Sequence, residues 1–510
     1  MDFGSPRGFN ALVRNTARTA RGDGVTEDGT AIAGKTPGEK NQRGKALRQQ
    51  AQREQASAGL EASALRPLNV LAIAVSAVSP TTAVFLVYGT GLASAGTGVV
   101  YAFLIGAVIV LAMAVCYAET GSLFPSAGGA YTIVHRALGP VWGGLATVLF
   151  LLLGLVTTAS VCTAAATYLS GLVPGGLPVG WTALAMLAAI TALSMGRIAP
   201  ASWVATAMLL LELVVILAFT GCALAHVAPD SHPFTHPVVP GASGLIAAVV
   251  PALFAFNGYD WPLYFAEETR GSRRALPRAV VWAAGVSVVV EVLAVAAATF
   301  AVRDVGRTAA DGSPLSLIAH QVMGPTGATV LLAGVVVAMF DTGLSANLGY
   351  ARVYYAAARD GMLPGALGRF FGYASPRSRV PVHGFVFLFV GNGVLCVFSS
   401  LNDLITFTGV VTVTVCLLVA VAALVCRVRA RRDTPGDRPP FRMPLWPVPP
   451  LVVVAGVAVA LTQQSTRDLI VVGVVCLIAT AGYAVARRPG GAGGGRRQQG
   501  DPPSAPVSRA

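Results

Sequence analysis

The chain has 510 residues, 54% of them apolar and only 12% charged, with a mean hydropathy of +0.67. A soluble domain carries roughly a quarter charged residues, so a water-soluble globule is excluded. The 36 Lys+Arg against 23 Asp+Glu leave a formal charge of +13, which raises nucleic acid as a partner. Their placement excludes it: eleven basic residues fall in 1–66, and none follows through Ala118.

Residues 1–66 are rich in Gly, Arg, Gln and Ala and lack the apolar core of a secretory signal. They read as a disordered basic cytoplasmic tail. Gly29-Thr30-Ala31-Ile32-Ala33-Gly34-Lys35-Thr36 fits the phosphate-loop pattern letter for letter. That loop works only where a strand delivers it and a helix follows. Here the approach is polar and Pro37-Gly38 interrupts what comes after. The match is read as chance, and no nucleotide cofactor is expected.

A membrane span needs about 20 mostly apolar residues. Twelve are predicted, near 67–92, 98–118, 138–170, 181–195, 202–226, 243–267, 277–302, 326–356, 381–399, 403–426, 447–463 and 468–486. With both tails inside, 33 of the 36 basic residues face the cytoplasm, and only Arg303, Arg307 and Arg467 lie outside. This is the bias of the positive-inside rule, so the positive excess reports orientation in a plasma membrane.

Span one is interrupted at Ser79-Pro80, a capping hydroxyl followed by proline at a first helical position. Span six is interrupted at Asn257-Gly258, between Pro251 and Pro262, with Asp260 just beyond. Broken backbone inside a membrane is tolerated where it lines a cavity. Breaks at corresponding positions of two five-helix halves point to inverted repeats with a site at the midplane. Unwound carbonyls there hold a cation and a half-helix N-terminus holds a carboxylate, which suits a zwitterionic amine.

Several motifs occur in order along the chain. Tyr117-Ala118-Glu119-Thr120-Gly121-Ser122-Leu123-Phe124-Pro125 follows span two. Phe254-Ala255-Phe256-Asn257-Gly258-Tyr259-Asp260, with Ala266-Glu267-Glu268-Thr269-Arg270, forms span six. Ala358-Arg359-Asp360-Gly361-Met362-Leu363-Pro364 leaves span eight, and Val380-Pro381 enters span nine. Together they resemble the amino acid permeases of the amino acid–polyamine–organocation superfamily, over roughly 67–430. The resemblance implies an all-α polytopic protein of the LeuT type working by alternating access. Its first repeat would be 67–226, its second 243–426, with two extra helices in 447–486 and a second tail in 487–510. Where many relatives carry Gly-Ser-Gly in the first break, this chain has Thr81-Thr82-Ala83 after Ser79-Pro80. Likeness places Phe254 as an aromatic gate and Asn257 as an inward-pointing pocket residue. The expected substrate contacts are Ser79, Thr81, Thr82, Phe254, Phe256, Asn257 and Asp260.

Charged groups inside spans are costly, so each is a functional hypothesis. Glu212 lies deep in span five, where many relatives have a lysine, and Asp341 lies in span eight. Desolvation disfavours the charged form of a carboxyl, so both are candidates to carry the coupling proton or monovalent cation. Asp260 serves gating or the substrate amine. Glu291 in span seven receives no role. Glu119, Glu267 and Glu268 sit at cytoplasmic span ends beside arginines, where gating ion pairs and solvated helix ends are both open.

His226, His232 and His236 in an external loop read as solvated, and the seven cysteines lack a CxxC pairing and read as small apolar residues. No metal site is expected. The expectation is a secondary transporter of an amino acid or related small amine, not an enzyme, with the lipid bilayer as its surroundings. A transport-inactive sensor and an ion channel are the alternatives.

Overall fold

The computed structural model describes residues 67–196, 198–229, 234, 237, 239, 241–267, 269, 271–311, 313–363, 365–375, 380–433 and 441–486. Both tails lie outside these, as do the Gly29–Thr36 match, His232, His236, Glu268 and Arg270. Every element among the described residues is helical. Seven helical runs are long and apolar enough to cross a membrane by length and composition, and four shorter apolar helices accompany them.

The predicted break in span one is present. Helix α1 (Pro67–Val78) ends where Ser79 takes a left-handed conformation, φ 46° and ψ 82°, and α2 (Pro80–Ala95) begins at once. The Thr82 N–H donates to Ser79 Oγ at 3.3 Å, so the hydroxyl caps α2. Pro80 occupies the first turn, where its missing N–H leaves nothing unpaired.

Next come α3 (Val99–Leu123), the short α4 (Ala130–Leu138), α5 (Pro140–Leu172), α6 (Val179–Ser194) and α7 (Ile198–Ala225). Span six opens as α8 (Ala242–Ala255) and stops there. Phe256 to Asp260 form turns, Gly258 has φ 121°, and a 3-10 turn covers Trp261–Phe265. The second break is therefore real, but a regular α-helix does not resume before α9 (Ser272–Phe300).

Beyond the short α10 (Val305–Ala310), α11 runs over Pro314–Arg359. It contains a non-helical glycine, Gly324, at φ 70° ahead of Pro325. Span eight was expected from 326. The structure adds a helical stretch before that point, turned at a glycine because φ there is positive. The remaining elements are α12 (Gly365–Phe371), α13 (Val382–Phe398), α14 (Leu401–Asp433), α15 (Val448–Leu461) and α16 (Thr466–Ala486).

The broken elements α1, α2 and α8 lie inside the bundle. Helices α3, α7 and α9 pack against α1, α2 or both, and α11 packs against α1, α2, α5 and α7. Leu210, Val214 and Leu217 on α7 and Trp282, Val289 and Leu293 on α9 are exposed, the surface an apolar solvent requires.

The 33 basic residues that the positive-inside count places on the cytoplasmic side include Arg352 as a loop residue, and the structure corrects this. Arg352 is 1% exposed, donates to the Leu348 carbonyl at 2.6 Å, and stacks over Phe265 at 5.0 Å. A guanidinium is weakly hydrated and stacks well on aromatic faces, which lets it be buried here.

Candidate functional site

The break in span one brings two buried carboxyls against its ends. Glu212 on α7 is 1% exposed, and its Oε1 accepts from Ser79 Oγ at 2.8 Å and from the Thr81 N–H at 3.0 Å. Thr81 Oγ1 donates to the Glu212 carbonyl at 3.2 Å. Asp341 on α11 is 0% exposed and accepts from Ser76 Oγ, which also lies 3.3 Å from Ser345 Oγ. Glu212 Oε2 and Asp341 Oδ1 have no partner. Buried polar atoms left unpaired are rare, and each calls for a physical explanation.

A chain of hydroxyls leads from Glu212 to a cavity. Ser79 Oγ lies 2.6 Å from Thr82 Oγ1, which lies 2.9 Å from Thr342 Oγ1, which lies 3.0 Å from the Ala338 carbonyl. Each hydroxyl has one proton. When Thr342 donates to Ala338, it accepts from Thr82, and Thr82 accepts from Ser79. The Ser79 contact with Glu212 then holds only if Glu212 supplies a proton. When Glu212 is ionised, Ser79 donates to it instead, which frees Thr82 to turn toward Ser79. The charge on Glu212 thus sets whether Ser79 donates to the carboxylate or to Thr82.

Thr82 and Thr342 line a small cavity, together with Val78 and Leu86 of span one, Thr157 of α5, and Phe254, Asn257 and Trp261 of span six. Three of the expected substrate residues, Thr82, Phe254 and Asn257, therefore share one cavity. Ser79 and Thr81 face Glu212 instead. Phe256 is fully buried against Phe103, with ring centroids 5.6 Å apart, and does not line the cavity.

Asp260 lines a second small space with Tyr117, Tyr264 and Tyr350, and Asn257 and Trp261 border both spaces. Tyr264 OH donates to Asp260 Oδ2 at 2.5 Å. The Trp261 ring stands edge-on to Tyr264 and Tyr350, at 5.1 and 5.2 Å. Among the described residues, no Lys, Arg or His borders either space. Sequence reasoning missed Trp261, Thr157 and Thr342. Trp261 follows Asp260 directly, and a bulky aromatic beside a membrane break was the available signal.

Two polar clamps lie at the helix ends. Glu267 accepts from Arg359 NH1 and NH2 at 2.5 and 2.7 Å and from the Ala127 N–H at 3.2 Å. Glu119 accepts from Arg427 and from the Met443 N–H, at 2.6 Å for the latter. Both are ion pairs rather than solvated ends. His226 is exposed and contacts the Cys222 carbonyl at 2.9 Å. Among the described residues, no cluster of His, Cys, Asp and Glu could hold a metal ion.

Residues 65–481 match a family described as amino acid permease. The chain is similar to a branched-chain amino acid permease of Bacillus subtilis, 27% identical over 72% of this chain and 81% of the relative. It is also similar to a low-affinity putrescine importer of Escherichia coli, 24% identical over 63% and 71% respectively. A methylthioribose transporter of Bacillus subtilis is 23% identical over 73% and 82%.

Proposed function

The chain belongs to the amino acid permease family, and from that premise we propose that it carries an amino acid or related small amine across the plasma membrane by alternating access, coupled to a proton or monovalent cation. As a member of this family it is a multi-pass membrane transporter of small organic solutes. In the proposed cycle the repeats 67–226 and 243–426 rock about the central cavity, 447–486 supplies two outer helices, and both termini are cytoplasmic.

One observation carries the reading. The break at Ser79 presents a cavity wall on one side, at Thr82, and a buried carboxyl on the other, at Glu212, joined through hydroxyls. A change of charge on Glu212 thereby alters the hydrogen-bonding character of the cavity wall. Binding and coupling need such a link, because an ion moves a solute only through differential affinity between states.

The choice of solute rests on the lining. The wall is mostly apolar, its polar groups are hydroxyls and an amide, and the second space ends in Asp260 among phenols. An ammonium group is favoured by carboxylate and aromatic faces. A substrate carrying only negative charge would find no basic partner among the described lining residues. The relatives named for branched-chain amino acids and for putrescine both carry amines.

A thermal-shift panel of amino acids, polyamines and small amines on purified protein tests this. A ligand at 100 times its dissociation constant stabilises the folded state by about 2.7 kcal/mol. An amine-bearing hit that also supports counterflow in proteoliposomes is the expected result. Stabilisation only by amine-free acids or sugars would overturn the substrate class.

A further inference from the structure

Trp261 opens the short turn that follows the break in span six, and it is buried. Its backbone N–H donates to the Gly258 carbonyl at 3.0 Å, so the turn itself fixes where the side chain starts. Three neighbours then hold the indole. Tyr264 and Tyr350 stand edge-on to it, and α11 presses on it at Gly349, where a Cβ would meet the ring at 1.7 Å. Tyr264 is held in turn by Asp260, and the Tyr350 hydroxyl lies 3.3 Å from Thr157 Oγ1.

The ring does more than fill volume. It lines the first cavity with Thr82 and Phe254, and the second space with Asp260 and Tyr117. Protein interiors pack like organic crystals, with few gaps. A large aromatic ring with open space against it on two sides is not explained by close packing alone. The two spaces have Asn257 and Trp261 in common, and the Thr157–Tyr350 contact joins a residue of the first to a residue of the second. These four side chains are the wall between the spaces, and the indole is its largest part.

We propose that Trp261 is a size-selecting partition, which ends the solute cavity short of Asp260 and confines the carrier to compact amines. An amine in the first cavity comes to rest against the indole, with the Asp260 carboxyl in the space beyond. The wall therefore keeps the preference for an ammonium group and denies it direct contact with the carboxyl. A longer solute would have to displace the ring from between Tyr264, Tyr350 and Gly349. Exclusion by a clash needs a wall that does not yield, and those three contacts supply it. Without the indole the two spaces become one elongated site, and the far ammonium of a diamine reaches Asp260. This inference rests on reading the first cavity as the solute site.

The test is a thermal-shift titration of the purified full chain with α,ω-diamines from diaminopropane to diaminooctane, and with the matching diols. Wild type should respond to the short diamines and not to the long ones. Trp261→Ala should bind the long diamines about tenfold tighter than wild type, the equivalent of one charge-assisted hydrogen bond. The short diamines should show no such gain. Trp261→Phe lowers the wall but keeps a ring against the two tyrosines. It should move the length limit part of the way, and it carries the test if Trp261→Ala does not yield monodisperse protein. No gain for long diamines in either variant, or the same change at every length, would overturn the partition and leave the amine reading standing. A length limit that moves as far for the diols as for the diamines would keep the partition and reject the amine reading.

Discussion

Ser79 Oγ and Glu212 Oε1 lie 2.8 Å apart although 133 positions separate them in the chain. The contact exists because Ser79 interrupts its helix. A continuous helix would bind that hydroxyl to its own preceding turn, whereas the cap position aims it at α7. The left-handed backbone of a non-glycine residue costs about 1–2 kcal/mol, and the site retains it.

Replacing Ser79 separates strain from chemistry. Ser79→Gly relieves the backbone and loses only a few tenths of a kcal/mol of capping, so its thermal midpoint should match or exceed wild type. Uptake driven by a pH gradient should nonetheless fall by about tenfold, the equivalent of one hydrogen bond. Ser79→Ala should lose both, with about 1 kcal/mol of stability. Gradient-driven uptake at wild-type level in Ser79→Gly would remove the hydroxyl from the mechanism.

Thr82→Val cuts the hydroxyl chain at the cavity wall. Thr342 keeps its bond to Ala338, so no group is orphaned. Ser79 is then left with Glu212 as its only side-chain acceptor. Counterflow, which needs no gradient, should persist with a half-saturation concentration raised about tenfold. Accumulation against a gradient should be lost. Equal effects on both assays would mean that Thr82 only binds solute.

Gly349 on α11 faces Trp261, and a Cβ there would meet the indole at 1.7 Å. The ring is itself wedged between Tyr264 and Tyr350. Gly349→Ala must displace Trp261, which borders both spaces, at about 1–3 kcal/mol. The expected outcome is a lower thermal midpoint and loss of binding together. Binding that survives unchanged would show that Trp261 has room to move away from the cavity.

The Glu267–Arg359 pair ties the end of span six to the end of α11, and the Ala127 amide bonds to the same carboxylate. Both side chains are about one-quarter exposed, at 27% and 20%, so screening holds the pair to roughly 1 kcal/mol. Arg359→Ala should leave the fold intact and raise hydrogen exchange at Ala127 about fivefold. Unchanged exchange there would show that the pair does not hold the loop.

Much of this was legible in the chain because the signals are local. Ser79-Pro80 is read directly from a cap and a proline, and Glu212 stands out as a charge in an apolar run. Phe254 and Phe256 are two residues apart, and only the exact path of a broken helix decides that Phe254 meets the cavity and Phe256 meets Phe103. Glu119 and Arg427 are 308 positions apart, and no local pattern joins them. Glu291 gave no reading from sequence, since one face of α9 is exposed and the other buried, and its register depends on neighbours far along the chain. The positive-inside count groups Arg352 with the loop arginines that follow it; its stacking on Phe265 is a tertiary fact that the count does not see.

The central claim is that Glu212 couples an ion to solute movement. Proteoliposomes holding wild type or Glu212→Gln, loaded at one pH and diluted into another, measure it directly with the amine identified by thermal shift. The account predicts that wild type accumulates the amine above equilibrium under an inward proton gradient, while Glu212→Gln exchanges it without accumulation. Proton-driven accumulation by Glu212→Gln equal to wild type would contradict the account.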